Sequence, residues 1–258
     1  MSSTSSNPTF QPVAAGPARS AAAPAAGRRV TDAPTRLFHW LFALSFAGAY
    51  LSAEGERWRA MHVTLGYIMA GLLVFRVLYG LFGPRHAGLG LMWRKLGSAP
   101  AWLRSLARRG APGGIDWRQG QNLAMALAVV ALLALVLPLS LSGYAVYDDW
   151  GDVFGGGEWL EELHEFFGNT VLIVVLAHLA LIAGLSLLRR RNLAAPMLTG
   201  RLPGPGPDLV RQPRKGVAAL LLLAVLAFGA WQWQQSPSGL IPASAWSGAT
   251  AEHERGDD

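Results

Sequence analysis

The sequence contains no cysteine and has few charged residues. With no Cys among its 258 residues, disulfides, thiolate-bound iron–sulfur clusters and covalently attached c-type haem are excluded. Charged residues make up 15% of the chain and hydrophobic residues 52%, whereas a soluble domain carries roughly 25% charge. This imbalance predicts that much of the chain lies in a membrane.

Five apolar stretches account for the hydrophobic composition. They cover residues 36–53, 62–82, 122–146, 165–188 and 217–233. About 20 helical residues, at 1.5 Å each, cross the ~30 Å hydrocarbon layer of a bilayer. The first four stretches meet this requirement and the fifth is at the short limit. Because backbone groups in lipid must bond within their own segment, each stretch is predicted to be a transmembrane helix.

The segments around these stretches give the predicted organisation. Residues 1–30 are rich in Ser, Ala and Pro, which is typical of a disordered segment. After the fourth stretch, a linker at 203–216 leads to the fifth helix at 217–233 and a polar tail at 234–258. The predicted fold is an all-α integral membrane protein, a four-helix transmembrane bundle with one additional C-terminal transmembrane helix.

Basic and acidic residues are sorted to opposite sides of the predicted helices. One set of connecting segments is 1–36, 83–121 and 189–216, and the other is 54–61, 147–165 and 234–258. The first set holds 18 Lys or Arg and three acids, and the second holds three Arg and 13 acids. By the positive-inside rule, the N-terminus is predicted to be cytoplasmic and the C-terminus periplasmic, in a bacterial inner membrane. Basic residues spread in this way do not form a face for nucleic acid.

The segment 83–121 interleaves aromatic and basic residues, as in Leu91–Lys95 and Trp102–Arg104. This pattern is typical of a helix lying on the inner leaflet. An ordinary basic loop would carry similar residues, so both interpretations stay open.

Four histidines lie within or at the ends of the predicted spans. His164 and His178 are 14 residues apart, which is about 40° short of four full turns and roughly 21 Å along one helix face. Because successive spans run in opposite directions, His178 falls at the cytoplasmic depth of His39. His164 falls at the outer depth of His62. The sequence therefore predicts two histidine pairs stacked across the membrane.

Paired imidazoles at one depth suit the two axial positions of a haem iron. Zinc prefers four tetrahedral ligands, whereas two axial histidines fill a haem and leave no position for oxygen, which suits electron transfer. The prediction is two non-covalent haem b, with iron ligands paired His39/His178 and His62/His164. Histidines that only hydrogen-bond between helices are the alternative.

Three further residues are candidate haem contacts. Gly66 and Gly168 each follow a histidine by four residues, and a missing side chain there would let a flat macrocycle approach the backbone. Glycine also aids helix packing in membranes. Arg76 is the lone charge inside its span and is predicted to pair with a propionate of the inner haem, although an arginine there could instead extend to the membrane surface.

The other titratable residues offer less. His86 and His253 have no partner at a matching depth and are predicted to be solvated. A proton-relay transporter would need acids inside the membrane, and no Asp or Glu lies in the core of a predicted span.

Several motifs together resemble the prokaryotic cytochrome b561 and nickel–iron hydrogenase b-type cytochrome family. They are Asp32–Trp40 (DAPTRLFHW), His62–Gly66 with Arg76, Leu163–Glu165 with His178, Arg191–Leu193, Pro196–Met197 and Thr199–Gly200. The resemblance implies a four-helix di-haem domain, assigned here to residues 31–202, with the same four histidines as ligands. Gly120–Leu123 departs from the family, which commonly has Gly-His-Asn-Pro at that place.

The resemblance also implies the partners. The expected function is electron transfer by a protein embedded in membrane lipid. Electrons would pass between quinone or quinol and a periplasmic redox partner. The acidic outer segments would suit a basic c-type cytochrome through charge steering. The alternative is the membrane-anchor cytochrome b subunit of a hydrogenase or similar oxidoreductase.

Overall fold

A computed structural model describes residues 27–107, 116–151, 156–204 and 206–236. The described residues contain five long α-helices and three short ones. They are α1 (Ala33–Leu51), α2 (Arg59–Phe82), α3 (Leu89–Gly97), α4 (Ala99–Ala107), α5 (Trp117–Tyr147), α6 (Glu158–Arg189), α7 (Ala195–Thr199) and α8 (Lys215–Gln235). Strands β1 (Arg28–Arg29) and β2 (Arg201–Leu202) pair antiparallel. The predicted tail at 234–258 lies almost entirely outside the described residues, as does His253.

Within the described residues, four helices are long and apolar enough to cross a membrane: α2, α5, α6 and α8. They coincide with the last four predicted stretches, and α5 and α6 extend beyond the predicted limits to 31 and 32 residues. The all-α class is thereby confirmed.

Helix α1 is formed as predicted but is less apolar than these four. It has 19 residues, and Arg36 and His39 lie among them. Those two residues lower its hydropathy, and α1 is not one of the four helices that meet the length and composition of a span. Its crossing of the membrane stays a prediction.

Contacts between helix termini define two ends of the bundle. At the Asp32 end, the start of α1 meets the end of α2 through Tyr79, and the end of α6 meets the start of α5 through a hydrogen bond from Arg189 to Gln121. At the opposite end, called the His62 end, Tyr50 of α1 donates to Asn169 of α6 over 3.1 Å. Neighbouring helices in this sequence order are therefore antiparallel, as the depth argument requires.

The Asp32 end is closed by chain segments that the sequence analysis assigned to disorder and to a linker. Arg28 and Arg29 form β1 against β2, so disorder is the wrong description for residues 27–30. The stretch 206–214 packs back on this ribbon. Leu209 N–H donates to Arg29 O over 2.9 Å, Ala33 N–H donates to Pro213 O over 3.1 Å, and Val210 is completely buried.

The segment after α2 is helical rather than an ordinary loop. It contains α3 and α4, which carry Trp93 and Leu103 with 68% and 57% of their surfaces exposed. The helical interpretation is thus the better one, and its placement on the inner leaflet stays a prediction.

The core of the bundle lies where α1, α2, α5 and α6 meet. Its buried side chains are Phe46, Met69, Leu73, Val136, Leu139 and Val171. Many other leucines on the long helices are exposed, for example Leu187 at 79%. An apolar surface of this kind fits lipid contact.

Candidate functional site

The first histidine pair lies at the His62 end, where α2 and α6 begin. The imidazole rings of His62 and His164 have centroids 5.9 Å apart and planes at 82°. His62 Nδ1 lies 2.8 Å from Ala49 O, and His164 Nδ1 lies 3.1 Å from Leu139 O. A carbonyl can only accept, so each Nδ1 carries the proton and each Nε2 keeps a free electron pair. This is the tautomer that a metal-binding histidine needs.

Two residues of α5 hold His164 in place, and both escaped the sequence analysis. Ser142 Oγ is 3.3 Å from His164 Nδ1. At Gly143, an added Cβ would lie 2.7 Å from His164 Cε1, so the imidazole rests directly on the helix backbone. Ser142 and Gly143 are far from every histidine in the sequence. Only the packing of α5 against α6 brings them into contact with His164.

The second pair lies closer to the Asp32 end, on α1 and α6. His39 and His178 are close enough to interact electrostatically. In the described part of the chain, their two Nδ1 atoms are the only buried side-chain nitrogens or oxygens without a hydrogen-bond partner. Leaving a buried polar atom unpaired costs about 1–3 kcal/mol. Because no described protein group accepts from either Nδ1, the protein does not fix the tautomer of these two imidazoles, and either ring nitrogen could bind a further group.

Arg76 lies on α2 toward the Asp32 end and is only 5% exposed. Its Nη1 donates to Ala87 O over 3.1 Å, and the guanidinium also interacts with the charge of Asp32. The side chain is therefore held inside the protein and does not extend freely to the membrane surface. Its contact with a haem propionate stays a prediction.

Asp32 is the centre of a buried polar cluster that the sequence analysis missed. It caps α1 by accepting from Thr35 N–H over 3.1 Å and receives Tyr79 Oη at 2.5 Å. His86 Nε2 lies 3.0 Å from the same carboxylate. The prediction that His86 is solvated is wrong, because its side chain is only 23% exposed and pairs with Asp32.

The carboxyl of Asp32 is held in its charged form. Burial by itself raises the pKa of Asp32, but the hydrogen bonds from Thr35, Tyr79 and His86 outweigh it and leave the pKa below the ordinary 3.8. Hydrogen bonds to the charged form favour it in this way.

The two candidate glycines face open space. A Cβ added at Gly66 would meet no atom within 4 Å, and one added at Gly168 would meet only Leu139 Cδ1, at 3.9 Å. Close helix packing therefore does not account for glycine at either position. The room is compatible with the predicted macrocycle, whose contact with these glycines stays a prediction.

The donor set fits axial haem ligation better than a chelated metal ion. Among the described residues, no three His, Cys, Asp or Glu converge on a common point. Each pair instead offers two imidazoles from different helices. Where the family commonly has a histidine, Gln121 bonds to Arg189 and joins two helices.

The family model for prokaryotic cytochrome b561 matches residues 30–200. The chain belongs to the prokaryotic cytochrome b561 family. The region that matches cytochrome b561 contains all four histidines and ends before α8. Neither a curated protein nor a solved structure matches the chain significantly.

Membership of the cytochrome b561 family indicates what the chain binds and what it does. It implies a b-type cytochrome that binds haem non-covalently and transfers electrons across a membrane. Together with the four apolar helices, it makes the chain a multi-pass membrane protein.

Proposed function

We propose that this cytochrome holds two b-type haems, one at each histidine pair, and moves electrons between the quinone pool and a periplasmic redox partner. The observation that carries the proposal is the presence of two imidazole pairs at different depths of one bundle. The ring centroids of His62 and His164 are 5.9 Å apart. His39 and His178 form the other pair, and their Nδ1 atoms are buried without a hydrogen-bond partner among the described residues.

Each pair contributes differently to haem binding. His62 and His164 are oriented by main-chain carbonyls, which fix the tautomer and the ring direction before any ligand arrives. His39 and His178 lack that support, so their orientation depends on the bound group. When bound between the imidazoles of a pair, haem b would supply one-electron redox chemistry.

The core between the helices is apolar, and a buried cation lies toward the Asp32 end. Phe46, Met69 and Val136 fill the space between the helices in the core. Arg76 brings one positive charge toward the Asp32 end, where it would stabilise a propionate. A dry, low-dielectric interior strengthens such an interaction.

An acidic surface at the His62 end supports a basic periplasmic partner such as a c-type cytochrome. Asp148, Asp149, Glu158, Glu161 and Glu162 are all exposed there. Charges of one sign around a docking site raise the association rate of an oppositely charged protein and make that rate fall with salt.

The test is haem content per chain in variants of each histidine. The wild-type protein should hold about two haems that acid–acetone extracts completely, because no cysteine can bind haem covalently. His39→Ala and His178→Ala should leave the same residual visible spectrum, and His62→Ala and His164→Ala should leave the other one. A wild-type ratio near one, or identical spectra from His39→Ala and His62→Ala, would overturn the proposal.

A further inference from the structure

A groove of about 910 Å³ lies between α2 and α8, with Tyr147 of α5 at one end. Ile68, Leu72 and Phe75 form one wall, and Leu221 and Val225 form the other. None of the four histidines lines it. Because α8 follows the region that matches the family, the groove is a feature that this chain adds to the family domain.

Glycine sets the width of the groove on the α2 side. Gly71 lines it, and a Cβ added at this position would meet no atom within 4 Å. The space above Gly71 is therefore part of the groove, and a large side chain there would fill it. Gly184 of α6 also faces open space but does not line the groove.

The groove is polar at one end only. Its polar side chains there are Tyr67, Tyr147 and Gln232. The ring of Tyr67 lies 6.4 Å from those of both Tyr147 and Phe228, and the hydroxyls of Tyr67 and Tyr147 bond to no other group in the described parts of the chain. The remaining lining is apolar apart from the indole N–H of Trp231, and no charged residue lines the groove. The guanidinium of Arg59 lies just outside it, 6.0 Å from the ring centroid of Tyr147.

We propose that this groove binds a lipid-soluble quinone, with the ring at Tyr67 and the tail along the apolar walls. A quinone is a neutral ring with two carbonyl acceptors, which free hydroxyl and amide donors can bind, and aromatic side chains pack against such a ring. The headgroup of a phospholipid carries a phosphate, which proteins bind with Arg or Lys. The volume lies within the range of small-molecule sites.

The position of the ring links this site to the proposed function, on which the inference rests. Tyr67 follows His62 by five residues on the same helix, which is about 7.5 Å along its axis. Five residues also turn about 140° around the helix, so the polar end of the groove lies near the depth of the His62 and His164 pair but on a different face of α2. A quinone bound there would lie nearer in depth to that pair than to His39 and His178.

The test compares glycine variants of the full-length protein in lipid nanodiscs. Binding of a benzoquinone with a decyl tail is measured by calorimetry. Gly71→Leu should weaken the affinity by about tenfold or more, since the new side chain occupies the groove. Gly184→Leu is the matched control and should bind like the wild type. Equal affinity in the two variants would overturn the proposal.

A hydroxyl pair gives a finer test. Tyr147 lines the groove, whereas Tyr144, one turn earlier on α5, contacts Tyr67 without lining it. Tyr147→Phe should weaken quinone binding about fivefold, as expected for one lost hydrogen bond, and Tyr144→Phe should not. The opposite result would place the ring elsewhere and contradict the assignment.

Two further measurements separate the possible failures. Mass spectrometry of co-purified lipid would overturn the quinone assignment if Gly71→Leu removed a phospholipid but left quinone affinity intact. Haem content and the dithionite-reduced spectrum report on the proposed function alone and should be unchanged in Gly71→Leu. Normal haem with equal quinone binding in all variants would refute the groove and spare the cytochrome function.

Discussion

Single atoms distinguish the two histidine pairs. The Nδ1 atoms of His62 and His164 are held by the carbonyls of Ala49 and Leu139, whereas those of His39 and His178 have no partner among the described residues. Such hydrogen bonds orient an imidazole and make it a better ligand. The pair at the His62 end is thus the better organised in advance of binding.

Gly143 is the residue whose substitution should disturb that pair most selectively. In Gly143→Ala the new methyl would lie 2.7 Å from His164 Cε1, so the imidazole must move. We expect altered visible bands, or a loss of up to one of the two proposed haems per chain. Gly184→Ala, whose methyl meets nothing within 4 Å, is the control and should leave the spectrum unchanged. Normal bands in Gly143→Ala would show that His164 is not a ligand in this position.

Asp32 should stabilise the protein in its charged form. Asp32→Asn keeps the shape but removes the charge that Tyr79 and His86 contact, and hydrogen bonds to charged groups contribute about 1.5–3 kcal/mol. We expect a loss of that size in the free energy of unfolding at neutral pH, measured with SDS in mixed micelles. Asp116→Asn is the control, because Asp116 also caps a helix but is exposed, and it should cost about 1 kcal/mol or less.

The effect of Asp32 should depend on pH in a defined direction. Its pKa in the folded protein lies below 3.8, so its contribution is present above that value and is lost as the pH falls through the lower folded-state pKa. The difference between the wild type and Asp32→Asn should therefore shrink as the pH falls below 3.8. A difference that grew on acidification would contradict the assignment.

At the scale of helices and strands, the sequence predicted what depends on local pattern. Stretches of apolar residues predicted α2, α5, α6 and α8, and helix rise and direction predicted which histidines meet. Local sequence patterns carry no signal for contacts between distant segments. The contact between Asp32 and His86 and the packing of residues 206–214 on β1 depend on the tertiary arrangement at the Asp32 end, which no periodicity encodes.

Helix α8 offers a test of packing between elements. Leu221 is 8% exposed and packs with Phe38 and Leu72, whereas Leu223 on the same helix is 63% exposed. Leu221→Ala should lower the unfolding free energy by about 2–3 kcal/mol, the lower part of the range for a buried leucine, because Leu221 also borders the groove. Leu223→Ala should change it little. Equal effects in SDS-driven unfolding would mean that α8 is not packed on α1 and α2.

For the whole molecule, the distribution of charge predicts orientation. The connecting segments at the Asp32 end belong to the set with 18 Lys or Arg and three acids, and such segments stay in the cytoplasm. The exposed acids at the His62 end then face the periplasm, where a basic partner could dock.

A pair of reporter fusions checks this orientation in cells. Alkaline phosphatase fused after residue 258 should be active, because it requires the periplasm, and the same enzyme inserted after residue 110 should be inactive. A fluorescent protein that matures only in the cytoplasm should give the reverse pattern. Exchange of the two results would invert the membrane sides assigned to the two histidine pairs.

The β1–β2 ribbon has a consequence for biosynthesis. Its strands, Arg28–Arg29 and Arg201–Leu202, lie near opposite limits of the family domain, so the first strand has no partner until the ribosome has passed residue 202. Asp32 and the start of α1 are closed over later still, once Pro213 can accept from Ala33. A segment made early is therefore among the last to reach its final contacts, and a nascent chain arrested after α6 has all four histidines but lacks the segments that close the Asp32 end.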